Sequence, residues 1–176
     1  LPLQDKLSQI FEEISALLQA KARLFDPDNK ENVEQLLFEL SLQNTQVAQS
    51  LNQIRSSLLT RLKASRVSNK SIYWLNLYFF ARDIHEQATS NYLHYEHIQQ
   101  NFSRSDLIFR FQKNLRLQAQ ACHDLAQCIL HNQQYQSSQE SQIGLNHLES
   151  SLKDWIQQHP QNFEVKNLKL IFNNLK

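Results

Sequence analysis

Apolar residues recur along this chain at alternating steps of three and four. That spacing sets one stripe of an α-helix against a partner and leaves the other face polar. Leu3, Leu7, Ile10, Ile14, Leu17 and Leu24 form a first stripe over about residues 3–24, interrupted near its end by Lys21. Val33, Leu37, Leu40, Asn44, Val47, Leu51, Ile54 and Leu58 form a second over about 31–65. At about 1.5 Å per residue that helix is a rod of ~50 Å. Leu77, Ala81, Ile84, Ala88, Asn91, Tyr95, Ile98 and Phe102 mark a third helix beginning near Ser71. Ile108, Phe111, Leu115, Gln118, Cys122, Leu125 and Ile129 mark a fourth, ending near Leu130.

The breaks between stripes carry turn chemistry. Phe25-Asp26-Pro27-Asp28-Asn29 stops the first helix, because proline cannot continue it and Asp and Asn favour turns. The polar, basic residues 65–70 make the second corner. Asn101-Phe102-Ser103 makes the third, and Ser103-Arg104-Ser105-Asp106 is a capping-box pattern ahead of an apolar run. The third and fourth helices are therefore predicted to fold as an antiparallel hairpin. Residues 131–141 read as a polar loop anchored by Tyr135. A fifth helix follows over about 141–159, with Leu145, Leu148, Leu152 and Trp155 inward and Pro160 as its stop. Asn162 caps a last one carrying Val165, Leu168, Phe172 and Leu175. No sustained apolar/polar alternation bounded by turn residues is present. The fold class expected is all-α, an up-down antiparallel bundle of long helices with one or two shorter C-terminal helices. Residues 1–176 form a single domain on this reading.

Composition narrows the function. The formal net charge is +1, which gives no general pull toward nucleic acid or anionic lipid. The two cysteines, Cys122 and Cys128, point to different faces of one helix and cannot pair. Unpaired thiols fit a reducing compartment. No run approaches the roughly 18–20 apolar residues that span a bilayer, and no signal peptide opens the chain. The chain begins Leu1-Pro2 and contains no methionine, so the expectation is a piece excised from a larger protein. Around Trp74, Tyr78 and Phe79 the third helix has hardly any polar face. Such a helix is buried all round or docks on something outside the chain, which makes these three a candidate partner or membrane-proximal surface.

Candidate chemistry is sparse. Asp83, His85 and Glu86 form the densest ionisable cluster, and His and carboxylates can ligate a metal or move protons. The plainer account is preferred: polar residues flanking a packed seam, with Asp83 or His85 hydrogen-bonding Gln118 or Arg116 across the hairpin to orient its helices. His94 and His97 lie three apart, but no Glu-x-x-His pair of the di-iron kind accompanies them. Cys122 sits on the seam as an inert core thiol. Arg104, Arg110, Lys113 and Arg116 make part of the fourth helix basic, a solvated face or one that meets lipid headgroups or an acidic partner. With a single glycine, Gly144, no phosphate-cradling loop can form, and no serine has nucleophile-elbow glycines. Catalytic residues, metal and cofactor are all expected to be none.

The segments from Tyr78 to Ala88, Phe102 to Gln112, Gln118 to Cys122, Cys128 to Leu130 and Tyr135-Gln136 resemble the soluble portion of YccS-type proteins. These belong to the FUSC-like, or fusaric-acid-resistance, group of bacterial inner-membrane proteins. The match is dense from about Ser71 to Gln136. The resemblance implies a cytoplasmic helical domain between two sets of membrane helices in a transporter-like, efflux-related protein. It implies no catalytic residues. The function expected is a structural, assembly or gating role on the cytoplasmic side of the inner membrane. The expected partners are the membrane-embedded segments of the same protein, with a homo-oligomer left open. No nucleic acid or small-molecule ligand is expected. The alternative is a free-standing helical adaptor that holds a partner helix in a groove.

Overall fold

More of the first helix is buried than one stripe can supply. A computed structural model describes residues 2–64, 67–89 and 106–134 of the chain. In it α1 runs Leu3–Leu24, and 13 of its 22 residues are buried. A 3-10 helix, Pro27–Asn32, turns the chain, started by Asp26, whose Oδ1 accepts the N–H of Asp28 at 3.0 Å. Then come α2, Val33–Ala64, and α3, Asn69–Thr89. The last described helix, α4, spans Asp106–Leu130. The chain is all-α, as its periodicity predicts. The 3-10 turn takes two residues that the stripe alone would give to α2.

α1 is the axis of the structure. It packs most extensively on α4, then on α2, and more lightly on α3, which also leans on α2. Lys6 reaches Ser57 and Arg23 reaches Glu39, so α1 and α2 run antiparallel. Gln4 bonds Ile129 while Ser15 bonds Ala119, so α1 and α4 do too. Phe11 meets Phe80 and Lys21 meets Ala88, so α1 and α3 run the same way. Leu7, Ile10, Phe11, Ile14 and Leu17 are wholly buried between these neighbours.

The α1–α4 contact has a chemical cause. Ser8 Oγ donates to the carbonyl of Ala126 at 2.8 Å, and Ser15 Oγ donates to that of Ala119 at 2.7 Å. The two serines are seven residues apart and so are the two alanines, so each pair meets once per two turns. With only a hydroxymethyl facing a methyl, the backbones come close enough for Oγ to reach across. Phe25 stacks on Phe111 at 6.1 Å at one end. At the other, α4 finishes with Asn132 left-handed and Gln133 N–H donating to Cys128 at 2.8 Å, a Schellman closure. Gln4 Nε2 then donates to the Ile129 carbonyl at 2.8 Å, so α1 caps the end of α4.

The predicted pairing of α3 with α4 is not what the described residues show. Each packs on α1, with little contact between them. A stripe demands a partner without naming it, and α1 offers buried faces in several directions. The corner at Asn101-Phe102-Ser103, the cap at Ser103–Ser105 and the stripe positions Asn91, Tyr95, Ile98 and Phe102 lie outside the described residues. So do Tyr135, Gly144 and the residues expected to form the C-terminal helices. The seams themselves hold. Leu40, Val47, Leu51, Ile54 and Leu58 are buried in α2, and Ile108, Phe111, Leu115, Cys122 and Ile129 in α4. In α4 the stripe drifts by one residue, so Ala119 and Ala126 face α1 more squarely than Gln118 and Leu125.

Ser15→Ala is expected to lower stability by about 0.5–1.5 kcal/mol through loss of one buried hydrogen bond. Ser15→Leu is expected to cost more, about 1–3 kcal/mol, because it forces α1 from α4. Urea unfolding followed by circular dichroism ranks the two, and equal midpoints would refute the close approach.

Candidate functional site

Several of the described polar side chains join one helix to another. Between α1, α2 and α3, Lys21 is only 5% exposed, and its Nζ donates to the carbonyl of Ala88 at 2.7 Å. Burial pushes its pKa down from 10.5 to about 8. The position that interrupts the first stripe is thus a buried amine that ties α1 to the backbone of α3. One turn away, Nε2 of His85 meets Oδ1 of Asn44 on α2. A carbonyl oxygen only accepts, so Nε2 carries the proton. Burial lowers the His85 pKa, and the neighbouring Glu86 carboxylate pulls the other way. Thr89 Oγ1 donates back to the His85 carbonyl at 2.9 Å. The cavity here, lined by Leu17, Leu40, Asn44 and Thr89 among others, holds about 10 Å³, too little for a substrate.

Asp83, His85 and Glu86 do not converge. Asp83 is exposed and takes the Arg82 guanidinium at 3.1 Å, and Glu86 meets the same arginine at 3.8 Å. The partner of His85 is Asn44 of α2, in place of the Gln118 or Arg116 of α4 that the sequence suggested. The reason is the placement of α3 beside α1 and α2. Gln118 is half-buried and Arg116 exposed. Among the described residues no three His, Cys, Asp or Glu side chains gather as a metal group. His94, His97 and Arg104 lie outside those residues. Cys122 is buried, and burial raises its thiol to about 12, as suits an inert core group.

The proposed α3 surface is divided. Tyr78 is buried and Trp74 half-buried, whereas Phe79 is exposed with the Arg82 guanidinium 4.9 Å from its ring centre. Ile72, Tyr73 and Phe80 are exposed as well. Spaced by one, seven and eight, these with Phe79 form one outward row.

Two features escaped the reading of the sequence. On α1 and α4, His123 Nδ1 donates to the Glu12 carboxylate at 2.8 Å and Gln127 Nε2 to the same group at 3.0 Å. The Glu12 hydrogen bond raises the His123 pKa, partial burial opposes it, and the charges of Glu12 and Asp124 add to the rise. Neither residue is apolar, so no stripe points to the pair. The second feature is a charge asymmetry. Between Glu39 and Asp83 the sequence holds six Arg and Lys residues and no Asp or Glu, which a net charge of +1 conceals. A local tally of charge would have found it.

Two titrations check these assignments. The unfolded chain keeps the Lys21 proton up to about pH 10.5, whereas the folded chain releases it from about pH 8. Stability should therefore rise with pH across that interval, since the unfolded state binds more protons there. Cys122 opposes this at the alkaline end, its thiol being harder to ionise when folded. The difference in urea midpoint between the native chain and Lys21→Met isolates the lysine, and a pH-independent difference would count against its burial. For His123, NMR titration should show a midpoint above the ordinary histidine value that falls back in Glu12→Gln. An unmoved midpoint would remove the pair.

The family model FUSC-like, described as FUSC-like inner membrane protein yccS, matches residues 1–176. Inner membrane protein YccS of Escherichia coli K12 is 36% identical over 175 residues, 99% of this chain and 24% of that protein. An uncharacterized protein of Haemophilus influenzae is 31% identical over 134 residues, 76% of this chain and 19% of its own length. The chain thus spans about a quarter or less of the curated relatives it matches. No solved structure matches it. Among the described residues no helix is long and apolar enough to cross a membrane. With a family model matching residues 1–176 and a relative 36% identical over 99% of its length, the chain belongs to the FUSC-like inner membrane protein family of the yccS type.

Proposed function

We propose that this chain is a helical domain on the cytoplasmic side of the inner membrane, part of a longer transporter-like protein, and that it braces and assembles the membrane-embedded segments. The observation that carries this is the match of nearly the entire chain to 24% of an inner membrane protein. Three features support it. The polar residues between α1, α2 and α3 align helices around a cavity too small for a substrate, which suits a brace and not an enzyme. The unpaired Cys122 and Cys128 suit a reducing compartment. The row of Ile72, Tyr73, Phe79 and Phe80 offers a partner an apolar face that the described helices cover only in part.

The test uses a full-length relative such as the Escherichia coli protein. Deleting the segment that matches residues 3–130 should leave membrane insertion intact and abolish the native-size assembly seen by non-denaturing electrophoresis. Unchanged assembly would end the bracing role. A fluorescent-protein fusion at the position matching Asn132 should glow, and an alkaline phosphatase fusion there should be silent. An active phosphatase would end the cytoplasmic placement.

A further inference from the structure

The cations between Glu39 and Asp83 do not spread evenly over the surface. Because α2 and α3 run antiparallel, the end of one and the start of the other meet where α1 begins. Arg61, Lys63 and Lys70 are exposed there. Lys6 of α1, Ser56, Ser57, Thr60 and Arg61 line an open groove of about 430 Å³. Lys6 Nζ donates to Ser57 Oγ at 3.3 Å. Arg61 and Lys70 both stand over the Trp74 ring, 5.4 and 5.0 Å from its centre. Asp5, in the first turn of α1, is a carboxylate set against these cations. Beside them are Val67, 65% exposed, Ile72, 46%, and Tyr73, 51%.

We propose that this end of the bundle seats on an anionic lipid surface, its groove taking headgroup phosphates and Val67, Ile72 and Tyr73 entering the interface. The proposal rests on the reading of the chain as a domain at the inner membrane and names what it touches there. Cations beside amphipathic aromatics are the chemistry of a membrane interface. Arg61 and Lys6 supply charge-assisted hydrogen bonds to phosphate oxygens, and the hydroxyls of Ser56, Ser57 and Thr60 supply neutral ones. A bilayer fits better than a nucleic acid, since exposed valine and isoleucine gain nothing from a phosphodiester backbone but partition into the acyl boundary. With a net charge of +1 overall, attraction acts through this end and not through the whole molecule.

The experiment is co-sedimentation of the 176-residue chain with vesicles. It should bind phosphatidylglycerol–phosphatidylethanolamine vesicles and not phosphatidylcholine ones. Raising the salt from about 0.1 M to about 1 M, which shortens the Debye length from ~10 to ~3 Å, should release it. The triple variant Arg61→Gln, Lys63→Gln, Lys70→Gln should bind roughly 100-fold more weakly, at about five-fold per surface cation. Ile72→Ser with Tyr73→Ser should also weaken vesicle binding. All substituted side chains are half to fully exposed, and circular dichroism confirms that each variant stays helical. Failure to bind anionic vesicles, equal binding to neutral ones, an unaffected charge variant, or tighter binding to a single- or double-stranded oligonucleotide each overturns the proposal. Because the isolated chain is used, any of these leaves the assembly and topology results standing, so the two readings fail separately.

Discussion

The fold depends on how closely α1 can approach α4. Two serines and two alanines, each pair spaced by seven, remove the bulk that would hold the helices apart. The hydroxyls then donate to carbonyls of the opposing backbone, which still have a free lone pair while engaged in their own helix. A buried hydroxyl without a partner would cost about 1–3 kcal/mol, so these bonds make the serines tolerable where the chain is tightest. Leu7, Ile10, Ile14 and Leu17 are then enclosed on their remaining sides by α2 and α3. Remove the close seam and α1 loses its largest neighbour.

Several polar groups of the interior are tied to a backbone or amide acceptor on another helix, although the buried amide of Asn114 on α4 finds no partner among the described residues. Lys21 takes the Ala88 carbonyl, His85 takes Asn44, and Gln4 takes Ile129. The Lys21 amine is closed off from solvent and donates to the Ala88 carbonyl. What these contacts set is angle and register. α3 has three buried side chains, Tyr78, Ala81 and Ala88, and packs Trp74, Leu75, Leu77 and Ile84 against the core, with Lys21 and His85 adding the polar contacts.

The chain matches about a quarter of an inner membrane relative, and on the proposed reading its exposed apolar surface meets the rest of that longer protein. The outward row on α3 and the cationic end shared by α1, α2 and α3 are different surfaces with different chemistry. The first suits protein contact through area buried. The second suits a charged plane through phosphate pairing. Ile72 and Tyr73 lie where the two adjoin.

What the amino-acid order determined alone was the helix: its length, its stops and the stripe it buries. Leu3–Leu24, the breaker at Pro27 and the end at Leu130 are all legible, because periodicity and capping act within a few residues. The inertness of Cys122 is legible for the same reason. Partner choice is not local. Matching stripes could not say that α4 would take α1 and leave α3, since the deciding residues are small ones, Ser8, Ser15, Ala119 and Ala126, which look neutral to any hydropathy count. Nor could they turn Lys21 from an interruption into a clasp, or send His85 to Asn44. Those outcomes needed the third dimension, because a hydrogen bond between helices depends on how closely two backbones approach, and only the packed molecule sets that distance.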